Sequence, residues 1–194
     1  MVNRARGQDE AGEGARPGGL GLRHLMSILI LPVTMTILVP AWILRGQDPP
    51  PTLPATAGAW VMVLLGIAVV AVGGALAGAS VSLFARHGRG TLAPWDPPRR
   101  LVVRGVYGHV RNPMISGVTS VLLGEAAILR SFPHIVWAVG FALVNAAYIL
   151  LLEERGLRAR FGSAYEAYAR NVPRLVPRRR AWKPEAGPES GERG

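Results

Sequence analysis

Long apolar runs separated by short or basic segments constrain this chain more than any other feature. They fall at about 25–44 ("LMSILILPVTMTILVPAWIL"), about 57–85, about 113–129 and about 133–152. A membrane-crossing helix needs roughly 17–25 apolar residues, each rising about 1.5 Å through a hydrocarbon core about 30 Å thick. The first, second and fourth runs meet that length. The third is near the lower limit and contains Glu125. Hardly any charge interrupts the runs, so the expected fold class is all-α: a polytopic membrane protein with about four transmembrane helices. A soluble bundle of buried helices is the competing reading. The first run is too long for a signal-peptide core and has no clear small-residue cleavage site after it.

The charge distribution gives the orientation. The net charge is +10 although 49% of the 194 residues are hydrophobic. Arginines 4, 6, 16 and 23 precede the first run. Arginines 86, 89, 99, 100, 104 and 111 lie between the second and third. Nine basic residues follow the fourth, from Arg155 to Lys183. The other two loops hold only Arg45 and Arg130. The positive-inside tendency then puts both termini and the 86–112 loop in the cytosol, in a bacterium beneath the inner membrane. An even number of spans requires the same. Basic residues that track topology in this way do not form a nucleic-acid patch. With no Cys, a thiolate metal site and a Cys nucleophile are excluded, and no metal site is expected. The domain reading is a disordered tail over 1–19, a membrane domain over 20–178 and a disordered basic tail over 179–194.

The link "RSFP" between the third and fourth runs is so short that the two helices must form an antiparallel hairpin. The hairpin carries Arg111, before the third helix, and Glu153 and Glu154, after the fourth, to one membrane face. The second run is rich in small residues (Gly66, Gly73, Gly74, Ala77, Gly78). Gly74-x-x-x-Gly78 is at helical spacing, which reads as close helix packing in lipid. Glu125 sits roughly 20 Å from the cytosolic end of its helix at 1.5 Å per residue. It is expected to find a structural partner, Arg130 or a buried amide. Asn145 and His134 read as packing and interface residues.

The cytosolic rim collects the residues that could carry chemistry. In "GVYGHVRNPMISG", residues 105–117, Pro113 suits the first helical position and Asn112 the N-cap. The free N–H groups there, with Arg111 beside them, suit a carboxylate or phosphate. Tyr107 offers a flat face. Glu153 and Glu154 end an apolar helix where its dipole disfavours acids, which invites a cationic or hydroxyl-bearing partner. Neutralisation by Arg155, Arg158 and nearby arginines is the alternative. Ser163-x-x-Glu166 predicts a helix start after Gly162. Leu157, Phe161, Ala164, Tyr165 and Tyr168 then form an apolar stripe suited to a C-terminal interfacial helix on anionic lipid.

"PPRRLVVRGVYGHVRNPMISG", a hairpin and "EERGLRARFGSAYEAYARNVPRLVP" together resemble the isoprenylcysteine carboxyl methyltransferase and phospholipid methyltransferase families of integral-membrane enzymes. The resemblance covers about 90–178. It implies S-adenosylmethionine bound at the cytosolic face and an apolar or lipid-like acceptor reached from the bilayer. The family's cofactor residues fall on Arg99, Arg100, Leu101, Val102, Tyr107, Arg111, Asn112, Pro113, Met114, Ile115, Glu153 and Glu154. Arg111, Glu153 and Glu154 are the expected catalytic set. Two positions depart from the family pattern: Asn112 stands where His is common, and Ile115 where an aromatic is usual. A phospholipid amine, a prenylated thiol or carboxyl, and a small apolar thiol all remain open as acceptors. His109 and Tyr165 are the available bases for an amine. The hairpin also looks somewhat like that of membrane reductases of the steroid-reductase type, which would imply a nicotinamide cofactor. A non-catalytic protein that keeps the fold is the third reading.

Overall fold

The computed structural model describes residues 29–87, 101 and 103–183, and among these every regular element is helical. A π-helical segment Leu29–Leu38 leads into α1 (Val39–Arg45), and α2 spans Ala57–His87. A 3-10 turn, Gly105–Gly108, precedes α3 (Pro113–Leu129) and α4 (Phe132–Tyr148). A π turn, Ile149–Glu153, joins α4 to α5 (Glu154–Asn171).

By length and composition, two helical runs can cross a membrane: Ala57–Leu83 and the continuous run Phe132–Asn171, whose apolar part ends at Leu152. Only 11% of each apolar window is buried within the chain. Trp60, Leu64, Leu65, Val72, Leu143 and Val144 are all exposed, so these faces are built for an apolar surrounding and not for a soluble core. The first and third runs give shorter apolar helices, Pro32–Arg45 and Pro113–Leu129.

α2 and α3 pack backbone to backbone. A Cβ on Gly73 would sit 2.6 Å from the Gly117 carbonyl oxygen, and one on Gly117 equally close to that of Gly73. Gly66 and Gly124 meet in the same manner, at 2.7 Å each way. The contact therefore uses glycines seven apart on each of two antiparallel helices. Gly66, Gly73 and Ala77 of the expected small-residue set thus pack as anticipated, whereas Gly74-x-x-x-Gly78 does not. Cβ atoms on Gly74 and Gly78 would meet nothing within 4 Å, because those positions point away from α3.

The hairpin forms as the short link requires. Arg130 adopts the left-handed conformation (φ 49°) at the end of α3. The Ser131 and Arg130 amides donate to the Ala126 and Ala127 carbonyls, a Schellman closure. At this end His134, 1% exposed, places Nε2 3.2 Å from the Pro40 carbonyl and Nδ1 2.8 Å from Ser131 Oγ. Gln47 joins both Ser131 and His134, and Trp137 Nε1 donates to the Met35 carbonyl. His134 is thus the packing residue anticipated. Asn145 likewise donates to the Phe141 carbonyl of its own helix. Glu125 does not pair with Arg130: the Arg130 guanidinium donates to the Thr52 carbonyl, and Glu125 Oε2 is buried without a partner.

Candidate functional site

The opposite end of the hairpin carries the predicted rim. Gly105 turns the chain with φ +59°, and a Cβ there would lie 2.6 Å from Leu83 Cδ1, so the turn rests directly on α2. The C-terminal segment then runs along residues 108–112 as a strap. The Arg111 amide donates to the Pro173 carbonyl (2.8 Å) and the Asn112 amide to that of Arg174 (3.1 Å). The Arg178 amide donates to the His109 carbonyl (3.0 Å) and the Trp182 amide to that of Gly108 (2.9 Å). Trp182 therefore docks, although it lies in the segment expected to be tail. His109 Nδ1 is 2.8 Å from the Arg178 carbonyl, which can only accept, so Nδ1 carries a hydrogen. Ser116 Oγ reaches the Leu175 carbonyl at 2.7 Å.

Arg111 and the twin glutamates do share this rim. Arg111 Nη1 is 2.9 Å from Glu154 Oε1, with side-chain exposures of 8% and 2%. Arg174 adds a forked contact, Nε to Oε1 at 2.6 Å and Nη2 to Oε2 at 3.2 Å. Arg158, one helical turn along, reaches Oε2 at 3.2 Å. Burial alone would push the Glu154 carboxyl up. The Arg174 hydrogen bonds and the charges of Arg111 and the other two arginines outweigh it and hold the group below the usual carboxylate range. The neutralising reading therefore holds for Glu154, with Arg174 and Arg111 as partners in place of Arg155.

Glu153 is in the reverse situation. It is half-buried and, among the described residues, forms no ion pair. Burial and the charge of Glu154 push its carboxyl up, and Arg111 only partly opposes them. The π turn ends at Glu153, and α5 begins at Glu154. A single π turn sets the helix beyond it out of α-helical register, and such turns recur at functional sites.

Pro113 begins α3 and Asn112 is its N-cap by position, but the Asn112 side chain makes no capping bond. Ser116 N closes the first helical bond, to the Asn112 carbonyl at 3.0 Å. Met114 and Ile115 lie half-buried in the first turn. Arg111 Nε is buried without a hydrogen-bond partner beside that turn, although Nη1 serves both Glu154 and the Tyr165 hydroxyl (3.3 Å). A buried donor with no acceptor costs about 1–3 kcal/mol. Helix N-terminus and unused donor together suit an anionic group.

α5 breaks at Gly162 (φ 50°, ψ −130°), where a restart was expected. Its apolar stripe is not spent on lipid. Tyr165, Tyr168 and Val172 are buried against Leu101, Val103, Leu157, Phe161 and Trp182, because the strap, Leu101 and Val103 cover that face; Ala164 alone of the stripe is exposed. Tyr107 is fixed at both ends: its hydroxyl lies 2.9 Å from Ser80 Oγ, and its carbonyl accepts from Tyr168 Oη at 2.8 Å. Burial raises the pKa of Tyr107, Tyr165 and Tyr168, so all three stay protonated at neutral pH.

The structure thus gathers Tyr107, Arg111, Asn112, Pro113, Met114, Ile115, Glu153 and Glu154 at one rim, with Leu101 in the adjoining tyrosine cluster. Arg99, Arg100 and Val102 lie outside the described residues. Ser80, Arg174 and Tyr168 were not among the expected site residues. Ser80 left one trace, a hydroxyl seven positions after Gly73 in an apolar run.

The family model for phospholipid methyltransferases matches residues 61–164. Methanethiol S-methyltransferase 2 of Bradyrhizobium diazoefficiens (strain USDA 110) is 41% identical over 76 residues, which are 38% of this chain and 27% of that protein. The chain therefore matches about a quarter of that relative's length. No solved structure matches.

Proposed function

This chain belongs to the phospholipid methyltransferase family, and we propose that it moves a methyl group from S-adenosylmethionine to an apolar acceptor at the cytosolic face of a membrane. In that reading the four apolar runs all cross the bilayer, both termini are cytosolic, and in a bacterium the membrane is the inner one. The observation that carries the proposal is the unequal treatment of charge at the rim. Arg111 keeps one buried donor unused at a helix N-terminus, and Glu153 nearby has no ion-pair partner among the described residues. An unused guanidinium donor and an acid without an ion-pair partner at one site suit a zwitterion, and the amino-acid end of the methyl donor is one.

The roles follow from the contacts. Arg111 binds the donor's carboxylate through the Nε edge, with the free N–H groups of Met114 and Ile115 as further donors. Glu153 binds the donor's ammonium. Glu154 binds nothing itself; with Arg174 and Arg158 it fixes the Arg111 guanidinium, and so is a positioning residue. Tyr107 packs on the adenosine. The strap 173–182 and the tyrosine cluster keep water from this side of the site.

The donor supplies an electrophilic methyl on a sulfonium. When an anionic nucleophile attacks, opposite charges are lost toward the transition state, and a dry site favours that loss. The remaining help is orientation. The relative's name supports a sulfur acceptor, whose thiolate is already the nucleophile. Of the two bases considered for an amine, the Tyr165 hydroxyl accepts from Arg111, and His109 donates through Nδ1, which leaves Nε2 as its basic nitrogen.

Titration calorimetry of S-adenosylmethionine into the purified protein tests the reading, with Arg111→Ala and Glu153→Gln alongside. Each variant is expected to lose at least about tenfold in affinity, equivalent to about 1.4 kcal/mol. Unchanged affinity in both, or no binding by the parent protein, removes the assignment. Labelled-methyl transfer to a membrane lipid extract and to small thiols then identifies the acceptor.

A further inference from the structure

The site has a component on α2, far upstream of the residues that carry it. Gly66, Gly73 and Ser80 stand seven apart on one buried stripe of α2. The two glycines meet Gly124 and Gly117 of α3. At Ser80 the stripe has run beyond the N-terminus of α3, and the side chain, 0% exposed, meets Tyr107 instead.

The way this hydroxyl is satisfied is unusual among the described residues. A helical Ser or Thr in an apolar setting commonly donates back to a carbonyl three or four residues earlier. Thr36, Ser82, Ser116 and Ser120 all do so. Ser80 instead reaches across 27 residues to the Tyr107 hydroxyl at 2.9 Å. Tyr107 is held at its other end by Tyr168, which lies edge-on to Tyr165 with ring centroids 6.2 Å apart, and Tyr165 accepts from Arg111. A chain of contacts thus runs from α2 to the arginine of the rim.

We propose that Ser80 is a positioning residue for the methyl-donor site: it fixes the tilt of the Tyr107 ring on which the adenosine packs. The inference rests on the methyl-donor reading above. Ser80 touches neither donor nor acceptor; it acts through Tyr107. Without its partner the Tyr107 hydroxyl must turn elsewhere for a hydrogen bond, and the ring turns with it, because a buried hydroxyl left unpaired is costly.

The test is a double-mutant cycle on donor affinity in detergent-solubilised full-length protein, with Ser80→Ala, Tyr107→Phe and the double variant titrated with S-adenosylmethionine. Each single variant is expected to bind about fivefold more weakly, equivalent to about 1 kcal/mol. The double variant is expected to match the singles, because both remove the same hydrogen bond. A general loss of stability would instead multiply the two effects. Tyr107→Phe keeps the ring and its burial, so it carries the test alone should Ser80→Ala fail to fold. Unchanged affinity in Tyr107→Phe, or fully additive losses in the cycle, overturns the role of Ser80 while leaving the donor reading intact. Absence of binding by the parent protein overturns both.

Discussion

Glu154→Gln removes the one negative charge that three guanidiniums share. The contacts are of unequal worth. Arg158 and Arg174 have side-chain exposures of 49% and 45%, so solvent screens them. Exposed pairs of that kind contribute roughly 0.2–1 kcal/mol each. Arg111 is 8% exposed and Glu154 2%, and breaking a buried pair from one side costs about 3–5 kcal/mol. Gln keeps the shape and one acceptor, so the low end applies, about 3 kcal/mol. For a chain of this size 1 kcal/mol corresponds to about 2–4 °C in Tm, giving a fall of about 6–12 °C. Arg158→Ala and Arg174→Ala should each cost less than about 1 kcal/mol.

Its neighbour should respond with the opposite sign. The Glu153 carboxyl is desolvated beside a second carboxylate and pairs with no cation among the described residues. Glu153→Gln should therefore leave Tm unchanged or raise it in donor-free protein, while weakening donor binding. The assay is thermal unfolding in detergent micelles followed by circular dichroism, without donor, across a pH series. The Glu154 carboxyl lies below its unfolded value, so its contribution is whole above that value and disappears as pH falls through the lower, folded one. The Glu153 carboxyl lies above its unfolded value, so stability rises as pH falls through the raised one. Acidification from neutrality should first raise Tm and then lower it, and the rise should vanish in Glu153→Gln. Equal losses of Tm in both Gln variants would refute the division of labour between the twin acids.

Three further outcomes follow from the packing. Gly117→Ala must push a Cβ against the Gly73 carbonyl and should cost about 1–3 kcal/mol, whereas Gly74→Ala, which meets nothing, should be neutral or mildly stabilising; paired unfolding curves compare them. His134→Ala strands Gln47 and the Pro40 carbonyl at the turn end of the hairpin and should cost about 1–3 kcal/mol with donor affinity unchanged, read by Tm and calorimetry. Gly162→Ala places a side chain at φ +50°, ψ −130° in open space, so its cost, about 1–3 kcal/mol, is backbone strain, read from the same curves.

The features legible in the sequence are those set by chain length and charge. A two-residue link between α3 and α4 leaves no geometry but a hairpin, so Arg111 and Glu154 had to arrive at one end whatever else folded. What sequence could not resolve is which twin faces the arginine. That depends on the π turn Ile149–Glu153, because one residue more or less rotates the helix beyond it by about 100°. Hydrophobic periodicity sees an apolar run either way. The strap was hidden for a different reason: residues 173–182 attach largely through backbone amides and carbonyls, which every sequence possesses. The glycine contact was read in part: Gly66, Gly73 and Ala77 of the small-residue set make it, but Gly74-x-x-x-Gly78, conspicuous on α2 alone, does not. The working pair, seven apart, is evident only when set against Gly117 and Gly124 on the facing helix.

These failures share a cause, and it bears on how the site works. Sequence patterns report what one element presents, whereas the rim is made of what one element leaves unsatisfied for another. Arg111 Nε and the Glu153 carboxylate are costly in the donor-free protein because nothing described here completes them. Glu154, itself held by Arg174, makes that cost bearable by tying Arg111 down through Nη1. A site that satisfied both twin acids would be more stable and would have nothing left to offer a zwitterion. The cost of leaving one acid and one donor unmatched is therefore the energy available for binding. Substitutions that relieve it should stabilise the protein in the same measure as they weaken its hold on the donor.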